Sequence, residues 1–219
     1  MKNYLVIGLT GQTGAGKSTV CSFAEKEGAA VINADHIARE VMYPGSLCIQ
    51  KLCEAFGKDI VDDKGCLIRS RLAERAFADR EKTELLNRIT HPFIIDKTKE
   101  YIAAFGNKNY EVVLFDAPQL FESGSDSLCD FVIAVTAPEY IRRKRIMERD
   151  NLDSDAAELR IHAQHEQAYY TEKADYVING AETMENVRRS TLDALQIILS
   201  QKHINDRKTT AIVQKNIVL

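Results

Sequence analysis

One short stretch, directly after an apolar run, constrains this chain more than any other. Residues 4 to 7 read Tyr-Leu-Val-Ile, and residues 11 to 18 read Gly-Gln-Thr-Gly-Ala-Gly-Lys-Ser. The second stretch fits the pattern G-x-x-x-x-G-K-[ST], and a helix-like segment follows it. In this pattern the glycines let the backbone turn tightly, so that successive N–H groups converge on phosphate oxygens. The motif therefore predicts a strand, a phosphate-binding loop and a helix whose positive end faces the phosphates.

The motif predicts that this loop binds a nucleoside triphosphate. Lys17 is expected to bridge the β- and γ-phosphates, and the Ser18 hydroxyl is expected to bind Mg²⁺. A flexible glycine-rich turn is the alternative, but the pattern matches along its whole length and lies between a predicted strand and helix. The residues expected to bind the nucleotide are Gly11, Thr13, Gly14, Ala15, Gly16, Lys17, Ser18 and Thr19.

Composition favours a small-molecule partner. The net charge is −3, so no overall electrostatic attraction to nucleic acid or to an acidic membrane is indicated. No apolar run approaches the roughly 18 residues of a membrane span, and no signal-peptide core follows Met1. We therefore expect a cytoplasmic protein that binds neither membranes nor nucleic acids, as a monomer or a small homo-oligomer.

The cysteines and histidines indicate neither a disulfide framework nor a zinc site. The cysteines are five, an odd number, and form no C-x-x-C pair, so they are expected to be thiols in a reducing compartment. The histidines lack metal-ligand partners at suitable spacing and are expected to be structural or surface residues; those considered are His91, His162 and His165.

Further short runs that are apolar on both faces predict a parallel sheet covered by helices on both sides. These runs span residues 29 to 33, 111 to 115, 131 to 135 and 175 to 178. With residues 4 to 7 they predict an α/β fold of three layers with five parallel strands.

The spacing between the second and third runs is far longer than one crossover helix requires. Residues 34 to 110 are therefore expected to form a mostly helical insertion. Within it, residues 44 to 45 (Pro-Gly) break the chain and residues 62 to 65 form a turn. His91-Pro92 is expected to mark a boundary before a helix over residues 93 to 105.

A second insertion, at residues 138 to 173, is charged and helical in pattern. The nucleotide-binding core is then expected to comprise residues 1 to 33, 111 to 137 and 174 to 200. Residues 201 to 219 form a polar tail to which the sequence assigns no role.

Two carboxylates follow predicted strands, at the edge where open parallel sheets bind ligands. Asp35 could accept a proton from a substrate hydroxyl or help to position Mg²⁺. It could equally cap the helix that begins near His36. Asp116 ends the third strand, where a magnesium-associated acid is expected, with a turn-forming role as the alternative.

A stripe of cations lies in the second insertion. Arg142, Arg145 and Arg149 are three and four residues apart, and Arg160 and Gln164 follow with a further spacing of four. Such a stripe is usually a solvated surface, but insertions at this place in phosphoryl-transfer enzymes form closing lids. We expect Arg142 and Arg160 to contact phosphate.

The sequence lacks the motifs of a GTPase. Asp116 is followed by Ala-Pro-Gln rather than x-x-Gly, and residues 107 to 110 read Asn-Lys-Asn-Tyr rather than Asn-Lys-x-Asp. The chain instead favours a kinase that acts on a small metabolite.

Over residues 3 to 190 the chain resembles the dephospho-coenzyme A kinases, which phosphorylate the ribose 3′-hydroxyl of dephospho-CoA. The resemblance is carried in order by LTGQTGAGKST, NADHIAREV, GCLIRSRLAERAF, ITHP, APQLFESG, RIHAQ and KADYVING. It departs from the family pattern at Asn33, where an Asp is usual, and at Gln12 and Gln119. The segment after Ile178 is also shorter than usual.

The resemblance implies a P-loop kinase fold that uses ATP and Mg²⁺. Residues 34 to 110 would form the lobe that binds dephospho-CoA, and residues 138 to 173 the lid. Asp35 would be the catalytic base, Lys17 would take part in catalysis as a cation on the phosphates, and Asn179 would contact the nucleotide. A nucleoside kinase or other small-metabolite kinase is the alternative within this class, and a nucleotide-binding regulator without turnover is the alternative outside it.

Overall fold

Five parallel strands form the centre of the molecule. The computed structural model describes residues 2 to 216, with side chains described as far as residue 201. The strand order is β2-β3-β1-β4-β5, and every neighbouring pair is parallel. The predicted apolar runs are all strands: β1 Leu5–Thr10, β2 Ala30–Asn33, β3 Val112–Asp116, β4 Phe131–Thr136 and β5 Tyr176–Asn179.

Helices lie between most of these strands, and a helix also follows β5. Among the described residues they are α1 Lys17–Lys26, α2 Ala34–Val41, α3 Leu47–Phe56, α4 Arg69–Ala76, α5 Arg80–Asn107, α6 Glu139–Asp150, α7 Ser154–His162, α8 Gln167–Thr171 and α9 Met184–Asn216. Short 3₁₀ turns lie at Lys58–Ile60 and Ser125–Leu128. No helix within residues 2 to 216 is long and apolar enough to span a lipid bilayer.

The sheet has an apolar core on each face, because its side chains alternate in direction along each strand. Ile7 of β1 belongs to a buried cluster with α1 and α9, whose members include Ala24 and Leu195. Val6, the neighbouring residue, belongs to a second cluster with Ile102 of α5. The predicted three-layer α/β arrangement is confirmed.

The long segment between β2 and β3 is helical, as predicted. Helices α2 to α5 occupy it, and α3 and α4 bury a separate cluster that includes Leu52 and Leu72. The predicted turn over residues 62 to 65 is present, with the Gly65 N–H donating to the Asp62 carbonyl at 2.9 Å. The break at residues 44 to 45 separates α2 from α3.

The predicted boundary at His91-Pro92 is wrong, because α5 runs through it without interruption. Proline at this position removes one hydrogen bond to the carbonyl four residues earlier and normally kinks or ends a helix. Here both halves are held by packing: Phe93 packs against the α3 and α4 cluster, and Ile102 is buried against the sheet. Tertiary contacts on both sides of Pro92 therefore outweigh the local signal.

The segment between β4 and β5 is also helical, as predicted, and contains α6, α7 and α8. It has a small apolar cluster of its own, built from Ile146, Ala157 and Ile161. Helix α9 continues past residue 200 to Asn216, so the helix crosses the predicted start of the tail. The last three residues of that tail, 217 to 219, lie outside the described residues.

We expect Gly106→Ala in α5 to destabilise the fold. A Cβ at this position would lie 2.0 Å from Cε1 of Tyr4. Overpacking of this kind costs about 1–3 kcal/mol, which exceeds the gain of about 1 kcal/mol that alanine offers over glycine in a helix. Urea unfolding of both proteins measures the difference.

The matched control repeats this substitution in a Tyr4→Ala background. With the ring removed, Gly106→Ala is expected to stabilise, so the two substitutions should be coupled. A stabilising effect in both backgrounds would contradict the close contact.

Candidate active site

The loop between β1 and α1 is pressed against neighbouring backbone. Gly11 has a φ of 132°, and a Cβ there would lie 2.2 Å from the carbonyl oxygen of Val135. A Cβ on Gly180 would lie 2.0 Å from the carbonyl oxygen of Ala15. Since neither position has room for a side chain, glycine is required at both.

Lys17, the first residue of α1, reaches back over the loop. Its Nζ donates to the carbonyls of Gly11 at 2.7 Å and Gln12 at 3.4 Å. Burial lowers the pKa of Lys17, while the negative charges of Asp116 and Asp35 act in the opposite direction. A partly desolvated ammonium held by neutral carbonyls can exchange them for phosphate oxygens with a gain in electrostatic energy.

Asn33 and Asp116 lie side by side at the carboxyl ends of β2 and β3. Nδ2 of Asn33 donates to Oδ2 of Asp116 at 3.0 Å. Burial raises the pKa of Asp116, and the charge of Lys17 opposes that rise. The amide at position 33 therefore orients the carboxylate without adding a second negative charge to it.

The other Asp116 oxygen, Oδ1, is buried and has no hydrogen-bond partner within the described residues. Ser18 lines the same cavity as Asp116. A hydroxyl and one carboxylate fit Mg²⁺, which usually takes few protein ligands and completes its shell with water and phosphate. The described part of the chain contains no group of three or more His, Cys, Asp or Glu side chains that could hold a metal by itself.

Asp35 does not cap α2, so that alternative is wrong. The helix begins at Ala34, and its cap is Asn33, whose side chain accepts a hydrogen bond from the His36 N–H at 2.9 Å. Asp35 lies in the first turn, exposed, and lines the cavity. Its carboxylate makes no hydrogen bond or ion pair with any described side chain, so it is available to a ligand.

Two arginines of α6 line the cavity. Arg145 donates to the carbonyls of Gly14, Ala15 and Gly180 at 3.2, 3.3 and 2.8 Å, and thus connects α6 to the loop. Arg149 is held by Asp150 through Nε and Nη2 at 2.8 and 2.9 Å. These hydrogen bonds raise the pKa of Arg149.

The arginines predicted to contact phosphate lie elsewhere. Arg142 is 4% exposed, its backbone lies against Gly14, and its Nε and Nη1 have no hydrogen-bond partner among the described residues. Arg160 pairs with Asp150. Neither side chain lines the cavity, so a phosphate contact by Arg142 or Arg160 stays a prediction that requires this segment to move.

Most of the predicted nucleotide-binding residues line the cavity, namely Thr13, Gly14, Gly16, Lys17, Ser18 and Thr19. Gly11 and Ala15 are buried instead. Asn179 lies outside the cavity lining, where its side chain contacts Glu182 and accepts from the Ala181 N–H.

Sequence reasoning assigned no role to two glutamines that meet at the loop. Oε1 of Gln164 accepts from the Thr13 N–H at 2.7 Å, and Nε2 of Gln12 donates to the His165 carbonyl at 2.9 Å. Spacing placed Gln164 in the cation stripe, but it could not show that this position faces the loop.

The cavity, of about 1100 Å³, extends from the loop into the helical segment between β2 and β3. Its far wall is largely apolar and includes Leu72, Phe77 and Ile94, with Arg69 and His91 among them. Burial lowers the pKa of His91. The cavity is large enough for a nucleotide and a second extended molecule.

Comparison with known proteins identifies the family. A family model described as dephospho-CoA kinase matches residues 5 to 186. A dephospho-CoA kinase of Syntrophotalea carbinolica is 38% identical over 184 residues, which cover 84% of this chain and 87% of that protein.

Solved structures agree in fold. A dephospho-CoA kinase from Campylobacter jejuni has a TM-score of 0.67 and 28% identity, covering 92% of this chain and 100% of its own. A crystal structure from Thermus thermophilus has a TM-score of 0.76 and 26% identity, covering 91% of this chain and 98% of its own. The predicted P-loop kinase fold is confirmed, and the chain belongs to the dephospho-CoA kinase family.

Proposed function

We propose that this protein transfers the γ-phosphoryl group of ATP to the ribose 3′-hydroxyl of dephospho-CoA, which gives CoA and ADP in the final step of CoA biosynthesis. Family membership supports this assignment. The observation that carries it is the free carboxylate of Asp35, which lines the same cavity as Lys17 and the phosphate loop. A base, a cation and an anion-binding loop around one cavity are the parts that phosphoryl transfer requires.

In this proposal, three parts of the chain have different roles. The core binds ATP at the loop. The lobe of residues 34 to 110 binds dephospho-CoA, whose long pantetheine arm can extend along the cavity wall near Phe77 and whose phosphates suit Arg69. The lid of residues 138 to 173 covers the reacting groups and excludes water, because water would compete as an acceptor.

Asp35 takes the proton of the acceptor hydroxyl as that oxygen attacks phosphorus. The new bond joins the acceptor oxygen to the γ-phosphorus, and the bond from that phosphorus to the β,γ-bridging oxygen breaks, so ADP leaves with the electron pair. The carboxylate is free for this role since Asn33 caps the helix in its place.

Lys17 and Arg149 stabilise the charge on the transferring group. Both line the same cavity as Asp35, and the negative charge of Asp35 favours their charged forms. Mg²⁺, held by Ser18 and Asp116, would neutralise phosphate charge when bound. Asn33 donates to Asp116 and so keeps that carboxylate oriented toward the cavity.

The cellular setting is part of the same proposal. The five cysteines are all free thiols, as a reducing compartment would keep them. We place the enzyme in the cytoplasm, as a monomer or a small homo-oligomer.

Acceptor specificity tests the proposal. In a coupled ADP-release assay, we expect fast turnover with dephospho-CoA and little with AMP or adenosine, because only dephospho-CoA has a long arm that reaches into the lobe of residues 34 to 110. Preference for adenosine or AMP would favour a nucleoside or nucleotide kinase. ATP binding without turnover on any acceptor would favour a regulator.

Lys17→Ala is expected to abolish most turnover. Removing a cation from developing phosphate charge costs roughly 3 kcal/mol or more, so kcat should fall by about two orders of magnitude or more. Lys26→Ala, the same change at the exposed end of α1, is the control and should leave kcat unchanged. Near-normal turnover in Lys17→Ala, with both variants folded by circular dichroism, would refute the role of Lys17.

Asp35→Asn is expected to lower kcat by about 100-fold or more while the KM for ATP and the melting temperature stay near wild type. The reason is that Asp35 acts on the acceptor and caps no helix.

Asp79→Ala is a control for the effect of losing a helix cap, because Asp79 caps α5 by accepting a hydrogen bond from the Lys82 N–H at 2.8 Å. That variant should lose about 1 kcal/mol of stability and keep its turnover. A melting temperature lowered in Asp35→Asn, with kcat retained, would place the base elsewhere.

A further inference from the structure

The turn between α7 and α8 contacts the phosphate loop through two hydrogen bonds. The Thr13 N–H donates to Oε1 of Gln164 at 2.7 Å, and Nε2 of Gln12 donates to the carbonyl of His165 at 2.9 Å. Gln12 is 6% exposed, so its end of the contact is well shielded from water. One bond joins the loop backbone to a side chain of the turn, and the other joins a loop side chain to the backbone of the turn. Together they fix the turn against the loop.

The first of these bonds determines the orientation of the Gln164 amide. A backbone N–H can pair only with an acceptor, so Oε1 must face Thr13 and the NH₂ group must point away from it. Gln164 lines the large cavity, and Nε2 has no hydrogen-bond partner among the described side chains and backbone. The structure thus presents an oriented donor, without net charge, beside the loop.

The groups around this donor indicate its ligand. Lys17, Asp35 and Arg149 line the same cavity as Gln164, so the oriented donor and the proposed base open into one space. The inner phosphates of a nucleotide lie against the loop and the N-terminus of α1. Gln164 instead reaches the loop at Thr13, four residues before Lys17, within the cavity that also contains the proposed base, so the outermost phosphate is the one that it can meet.

We infer that Nε2 of Gln164 donates a hydrogen bond to the terminal phosphate of the bound triphosphate, with the Thr13 N–H holding the amide in the required orientation. This inference rests on the proposed phosphoryl transfer from ATP. It makes Gln164 a phosphate-binding residue that distinguishes a triphosphate from a diphosphate.

Gln164→Glu tests the donor with little change in shape. The glutamate can still accept from the Thr13 N–H, but it loses the NH₂ donor and places negative charge beside the phosphate. Calorimetric titration with Mg²⁺ and either ADP or a non-hydrolysable ATP analogue should show about tenfold weaker binding of the analogue or more, with ADP binding within about twofold of wild type. Gln164→Ala should show a smaller loss with the same preference.

Gln167→Glu is the matched control, since it makes the same change three residues later at an exposed position of the lid. It should alter neither affinity. If Gln164→Glu weakens ADP and the analogue equally, the residue only shapes the loop and the inference fails. Unchanged binding of both ligands overturns it as well. The comparison needs no acceptor, so failure of wild-type protein to phosphorylate dephospho-CoA would count against the proposed function alone.

Discussion

The phosphate loop depends on a close approach between backbones that leaves no space for a side chain. The carbonyl of Val135 in β4 presses on Gly11, and Gly180, just after β5, presses on the carbonyl of Ala15. The loop at the end of β1 is thus shaped by the two strands that follow it in the sheet order. Arg145 binds the carbonyls of Gly14, Ala15 and Gly180, which adds charge-assisted hydrogen bonds to this contact.

Burial disfavours the charged forms of Lys17 and Asp116 beside the loop, whereas their mutual attraction favours those forms. Desolvation lowers the pKa of Lys17 and raises that of Asp116, and each group opposes the shift of the other. An aspartate in place of Asn33 would set a second carboxylate directly beside Asp116, which would raise the cost of ionising both. The amide avoids this cost, donates to Asp116 and caps α2. These two contacts explain how the structure accommodates Asn33 at a position where the family usually has an aspartate. Asn33 orients Asp116 and leaves Asp35 free of a capping role.

Local patterns predicted the strands, the loop and the helical insertions, because short apolar runs, helical spacing and glycine placement are properties of neighbouring residues. These local patterns failed where contacts between residues far apart in the sequence determine the structure. Pro92 reads as a boundary, yet packing at Phe93 and Ile102 carries α5 through it. Helical spacing placed the arginines of α6 on one face, but it could not show that Arg145 and Arg149 reach the cavity while Arg142 is buried. Asp35 was placed correctly at the sheet edge, whereas its capping alternative depended on where α2 begins.

The hydrogen bonds between the phosphate loop and the α7–α8 turn restrict the movement of this turn. Moving the α7–α8 turn away from the loop breaks the hydrogen bonds of Gln164 and Gln12, and each contributes about 1 kcal/mol net. A cost of about 2 kcal/mol is small enough for a ligand with different affinities for the two positions of the turn to shift the balance between them. Gln12 is one of the departures from the family pattern, in which this position is a glycine, so its bond to His165 adds a contact that a glycine side chain could not make. A ligand bound at this loop would therefore act directly on these contacts, because both bonds start from residues of the loop.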